Sequence, residues 1–271
     1  MKSFFTLVIL SITLMSVSHQ NIFAQEITKE ATKETTSKIS NLTVFSESNI
    51  IYSLVKIARL YSKTNNSIVS IIFNNSAELI KNISDGEPDD IFISSHPEWS
   101  KILKQKGLVD VYNITNVAQD KLVLISSNKN KKNDILKISQ SASLKEILAN
   151  INQIQSPIII DSPNTSLGKY TQAALEGIDI YHYKIYTKAN EDKKSIVSFV
   201  NDNDEYFGIT FLSAIKNYRN VVVLKIIDDI DIYYQAFVIA GNNMEKARDF
   251  SKFLNSEPVQ NLLIEDGFII K

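Results

Sequence analysis

Beyond residue 40 the sequence predicts an α/β fold, because short apolar strands alternate with amphipathic helices. Apolar runs too short for helices punctuate the chain, among them Ile91-Phe92-Ile93 and the stretch Pro157 to Asp161. Between such runs apolar residues recur at helical spacing, as at Ile51, Leu54, Val55, Ala58 and Tyr61. The stretch Phe73 to Trp99 holds the whole logic: strand end, polar loop, amphipathic helix, Gly-Pro-type turn, buried strand, second helix start.

In order, Leu42 to Phe45 is read as a strand, Ser46 to Asn49 as a polar loop and Ile50 to Thr64 as a helix. Ser67 to Phe73 and Ile91 to Ser94 are strands. Ala77 to Ser84 is a helix closed by Asp85-Gly86, and Glu98 to Lys106 one stopped by Gly107. Lys121 to Ser126 is a strand, Asn128 to Asn133 a surface loop and Leu144 to Asn150 a short helix. Pro157 to Asp161 enters the loop Ser162 to Gly168, followed by the helix Lys169 to Leu175. Tyr181 to Tyr186, Phe207 to Phe211, Val221 to Ile227 and Tyr233 to Ala240 are strands, and Asp192 to Val200 and Leu212 to Tyr218 helices. The helices Met244 to Asn255 and Pro258 to Glu265 and a strand Phe268 to Lys271 end the chain.

The N-terminus has the pattern of a secretory signal: Lys2, then a mostly apolar run Phe4 to Val17, shorter than the roughly 20 residues of a membrane-spanning helix. Cleavage is expected after Ala24, so 1–24 is the signal; an uncleaved anchor helix is the alternative. Residues 25–40, polar and without aromatics, read as a disordered leader. The chain has no cysteine, so neither a lipid anchor on cysteine nor a disulfide is possible and the fold must rest on its own core. Removing the signal leaves 28 basic and 30 acidic residues, a net charge of −2, without the basic excess of a nucleic-acid-binding protein. From residue 41 onward there is enough chain for two lobes of ordinary domain size.

The clearest site signal is Asn74, Asn75, Ser76 and Ala77 at a helix start. Helix N-termini present N–H groups without intrahelical partners; this one, rich in small polar side chains and free of nearby Lys or Arg, reads as a ready anion site. Ser76 reads either as a ligand donor or as a plain helix cap. Asp89 and Asp90 precede a buried strand and read as capping or pairing groups rather than a catalytic dyad. His19, His96 and His182 are the only histidines; without cysteine they make no zinc motif. No P-loop, dinucleotide fingerprint or G-x-S-x-G elbow occurs, so no enzyme is expected.

The segments TVFSESNI (43–50), 73–99, IIIDSPNTSLGKYTQAAL (158–175), NEDKKSIVSFV (190–200), FGITF (207–211) and EDGFIIK (265–271) resemble, in this order, the periplasmic molybdate-binding proteins of ABC importers. Six of the seven glycines, Gly86, Gly107, Gly168, Gly208, Gly241 and Gly267, fall where that family has glycine. The resemblance implies a type II periplasmic binding protein of two α/β lobes, each a mostly parallel sheet flanked by helices, joined by two crossover strands. Lobe 1 would be 41–122 with 236–271, and lobe 2 would be 123–235.

The same resemblance implies an oxyanion, molybdate or tungstate, held in the interlobe cleft by neutral donors at helix starts. The four helix-start loops would be 46–49, 74–77, 164–168 and 190–193. Its contacts fall on the side chains of Asn49 and Ser76, the backbone N–H groups of Leu167 and Lys193, and Phe211, where the family has a tyrosine hydroxyl. Asn49 could equally be a helix cap, Lys193 a solvated lysine, and Phe211 pocket wall or core. Glu47, beside the first loop, suits an anion site only if it faces solvent. The implied protein is a periplasmic monomer with no cofactor, whose partners are a small oxyanion and an ABC permease. Two alternatives stay open: the same scaffold binding another small anion or organic acid, or a non-transport envelope protein with a degenerate cleft.

Overall fold

The structure is a computed structural model that describes residues 40–87, 89–136, 141–179, 183–187 and 195–270. The signal segment, all of the expected leader except Ser40, and Lys193 lie outside these residues. Eight strands form one mixed sheet: β1 Ser40–Glu47, β2 Ser67–Asn74, β3 Ile91–Ser94, β4 Val109–Ser127, β5 Ile158–Ile160, β6 Ile185–Thr187, β7 Phe207–Phe211 and β8 Val221–Ile239. Their order is β2-β1-β3-β8-β4-β7-β5-β6. β1 pairs parallel to β3, and β5 parallel to both β6 and β7, as the alternation predicts. The antiparallel pairs all involve the two 19-residue strands, β4 and β8, which pair with each other from Val109↔Ile239 to Ser127↔Val221.

Those two strands are where the sequence reading falls short. The N-terminal part of β4, VDVYNITNVAQD, has no clean alternation and was not expected as strand. β8 was expected as two strands with a break at Asp228 to Ile232. Pairing across the sheet carries both through: Asp120 sits opposite Ile232, and the irregularities are absorbed as register shifts at Asn116/Ala118 and Asp120/Leu122. The expected lobe boundaries, 122/123 and 235/236, therefore fall inside β4 and β8. The expected C-terminal strand is a single bridge, Gln119↔Ile269.

Helices α1 Ile51–Asn65, α2 Ser76–Ser84, α3 Pro97–Gln105, α4 Asn133–Leu136, α5 Leu144–Gln153, α6 Ser166–Leu175, α7 Ile196–Asp202, α8 Met244–Phe253 and α9 Glu257–Glu265 flank the sheet. In the half made of β2, β1 and β3, strand alternation divides the core. Leu42 and Val44 face one layer with Leu54, Ile57, Phe250 and Leu263, from α1, α8 and α9. Phe45 faces the other with Leu79, Ile83, Trp99 and Leu103, from α2 and α3. Continuing β1 by two residues puts Glu47 on the Phe45 side, toward the starts of α2 and α3.

The start of α6 is fixed by a close approach. A Cβ on Gly168 would lie 1.9 Å from the Ser162 carbonyl oxygen, so only glycine lets the loop after β5 fold back against the helix. Thr165 caps the helix, its hydroxyl accepting from the Gly168 N–H at 3.0 Å. Gly168→Ala must displace that loop. It is expected to cost about 1–3 kcal/mol of stability, read as a lower urea midpoint at unchanged slope.

Candidate functional site

At the end of β1 the Glu47 side chain turns inward and is 3% exposed. Its Oε1 accepts from the hydroxyls of Ser76 at 2.8 Å and Ser166 at 2.5 Å, and from that of Ser94. Its Oε2 accepts from the Ser95 hydroxyl at 2.9 Å and the Ser95 N–H at 3.4 Å. All four serines are buried. Among the described residues no Lys or Arg forms an ion pair with it. A carboxylate buried this far is tolerable only when its oxygens are saturated with donors, and here neutral donors do the whole task.

Each donor is placed by a helix start. Ser76 is the first residue of α2, behind Asn75, whose side chain accepts from Glu78 N–H at 3.0 Å. Ser94 ends β3 and Ser95 follows it, just before α3, which opens with His96 as cap and Pro97. Ser166 is the first residue of α6. Three helix N-termini, each carrying roughly half a positive charge, are thus gathered around one negative group.

The cluster joins the two halves of the sheet. Ser166, next to β7 and β5, reaches Glu47 on β1, and its hydroxyl lies 3.4 Å from that of Ser76. The indole N–H of Trp99, the sole tryptophan, donates to Ser166 Oγ at 3.1 Å. Tyr170, one turn along α6, donates to the Ser95 carbonyl at 2.6 Å and packs edge-on to His96. Lys169 pairs with Glu98 at 2.8 Å and lies 4.7 Å over the Trp99 ring. Beside Ser94, Ser95, His96 and Tyr170 opens a cavity of about 180 Å³ that continues to Gln235 and Phe237. That is below the roughly 300–1,000 Å³ of drug-sized sites and suits a small ion. Burial holds the His96 imidazole below its ordinary pKa; Glu98 opposes this and Lys169 adds to it. Asp231 also lines the cavity.

Of the expected site residues, Ser76 is at the centre. Asn49 is half-buried on the 3₁₀ turn Ser48–Ile50. Leu167 is second in α6, where its N–H belongs to the first turn, but its side chain is buried in the core. Phe211 ends β7, 1% exposed, with its ring 6.2 Å from both Tyr170 and Tyr234. Lys193 lies outside the described residues, and the helix expected from Asp192 begins at Ile196 behind the cap Ser195. The condition that Glu47 face solvent is not met: pairing of Ser46 with Ile93 extends β1 beyond Phe45, and the alternation then turns Glu47 inward. Ser94, Ser95 and Ser166 were not singled out, although a Ser-Ser pair between an apolar run and a His-Pro helix start was a legible signal. Asp89 and Asp90 are capping groups as read, accepting from the Ile91 N–H at 3.2 Å and the Thr43 N–H at 2.8 Å.

Residues 42–269 match the family described as bacterial extracellular solute-binding protein. The chain belongs to that family. Among its relatives, the molybdate-binding protein ModA of Haemophilus influenzae is 25% identical over 240 residues, covering 86% of this chain and 91% of the relative. The periplasmic molybdate-binding protein of Azotobacter vinelandii superposes with a TM-score of 0.64 at 18% identity, over 85% of this chain and 99% of its own. The sulfate-binding protein SubI of Mycobacterium tuberculosis gives 0.66 at 14% identity, over 84% and 86%. These likenesses show the periplasmic binding-protein fold, here with one continuous eight-stranded sheet. Among the described residues no cluster of His, Asp and Glu could hold a metal ion, and no helix is long and apolar enough to cross a membrane.

A second buried carboxylate, Asp120 on β4, braces the crossing by accepting from the Ser213 hydroxyl and N–H at 2.5 and 3.1 Å. Burial raises its pKa from 3.8 to about 6. The folded state therefore holds this proton more tightly, so its contribution to stability is greatest in acid and is lost as pH rises from about 4 to 6. Relative to Asp120→Asn, the wild type is expected to lose about 3 kcal/mol of unfolding free energy over that window. Paired urea titrations at several pH values measure this difference.

Proposed function

We propose that the chain is an extracytoplasmic binding protein that captures molybdate, or the isostructural tungstate, between its lobes and delivers it to an ABC permease. The observation that carries this reading is the convergence of neutral hydroxyl donors from both halves of the sheet on one buried negative group. An oxyanion without protons to donate asks for that chemistry: donors only, in a small and water-poor space. The relatives named for molybdate support the identity of the ion. The hydroxyl expected at position 211 is replaced by phenyl, a loss of about 1.5–3 kcal/mol if uncompensated. Ser94, Ser95 and Ser166 supply hydroxyls nearby.

In this reading lobe 1 comprises 41–122 and 236–271, and lobe 2 comprises 123–235. β4 and β8 are the strands about which the lobes open to admit ligand and close on it, since ligand touches both lobes. The protein works in the periplasm as a monomer, without cofactor or catalysis.

Calorimetric titration of folded, ligand-stripped protein with molybdate, tungstate, sulfate and phosphate to millimolar concentration tests the reading. Saturable heat with molybdate or tungstate, stronger than with sulfate or phosphate, is expected. Silence with all four contradicts it.

A further inference from the structure

The group that fills the oxyanion seat is the protein's own. Ser76, Ser94 and Ser166 all donate to one oxygen of Glu47, while Ser95 serves the other. The Ser76 and Ser166 hydroxyls stand 3.4 Å apart. Two donors that close converge on a single oxygen atom and leave no room between them for a second anionic group. Among the described residues, every hydrogen bond to its carboxylate comes from these four serines.

We propose that Glu47 is a resident carboxylate ligand of the anion seat and the residue that sets which solutes can occupy it. This rests on the oxyanion reading above. A solute must displace the Glu47 carboxylate from Ser76 and Ser166, and then tolerate its charge nearby. A dianion with several oxygens can replace every bond that Glu47 gives up; a weakly accepting monoanion cannot. Without solute, the same carboxylate bridges β1 to α6 and holds the cleft shut. Trp99 is built into this closure, because the hydroxyl it donates to is the one that donates to Glu47.

The test compares wild type, Glu47→Ala and Glu47→Gln, each shown to be folded by circular dichroism. The glutamine variant keeps the side-chain volume, so a folding failure in the alanine variant does not end the test. Two readouts are used: tryptophan emission without solute, which reports on Trp99 alone, and calorimetry with molybdate. Emission of the variants is expected to shift to the red as Trp99 meets water, and acetate is expected to return Glu47→Ala toward the wild-type spectrum. Molybdate is expected to bind Glu47→Ala about tenfold or more tighter than wild type, with Glu47→Gln between them.

Equal molybdate affinity in all three proteins overturns the role of Glu47 and leaves the oxyanion reading standing. If none binds molybdate, tungstate, sulfate or phosphate, the oxyanion reading falls. The emission arm then decides the rest: an unchanged spectrum overturns the closure role, and a red shift reversed by acetate upholds the carboxylate seat.

Discussion

The buried carboxylate of Glu47 and the five donors turned toward it are the constraint around which this molecule is arranged. Such a group can leave water only if every donor is in place at once. The starts of α2, α3 and α6 must therefore be aimed together, although they come from opposite halves of the sheet. The sheet order makes this possible. β3 and β7 each lie beside one of the long strands, so the loops that follow β3 and β5 open on a common cleft.

Function follows from the same arrangement. A seat made of hydroxyls and helix starts has no fixed positive charge, so its preference is for an acceptor of the right shape and not for negative charge in general. Burial raises the pKa of Tyr170 and Tyr234, and the nearby charge of Glu47, joined at Tyr234 by that of Asp120, adds to it. Bridging contacts such as Lys169–Glu98 and Tyr170–Ser95 sit beside the seat and tie the two halves of the sheet together there.

Much of this was legible in the sequence, because local patterns and local structure agree. β3 and β7 have their expected bounds, and α1 and α2 lie within one residue of expectation, each being a short apolar run or an amphipathic helix. Ser76 was legible for the same reason. The long strands were not, because Val109 to Asp120 gains its strand character from pairing with Ile232 to Ile239, and Asp228 to Asp231 lie where the register between the two strands shifts; neither carries much pattern of its own. Leu167 was singled out for its backbone N–H; the side-chain contact of its neighbour Ser166 was not, since neighbours on a helix point about 100° apart and only the folded helix shows which one faces Glu47. Glu47 was noticed, but its direction depends on two further residues of parallel pairing, which no local pattern announces.

The central claim is that one seat, formed by Ser76, Ser94, Ser95 and Ser166, holds either Glu47 or the transported anion. A crystal structure of the protein grown with tungstate, with the metal located by its anomalous scattering, tests it most directly. The account predicts tungsten between Ser76 and Ser166, with the Glu47 side chain turned out of the seat. Tungstate bound elsewhere, with Glu47 still accepting from both serines, would contradict it.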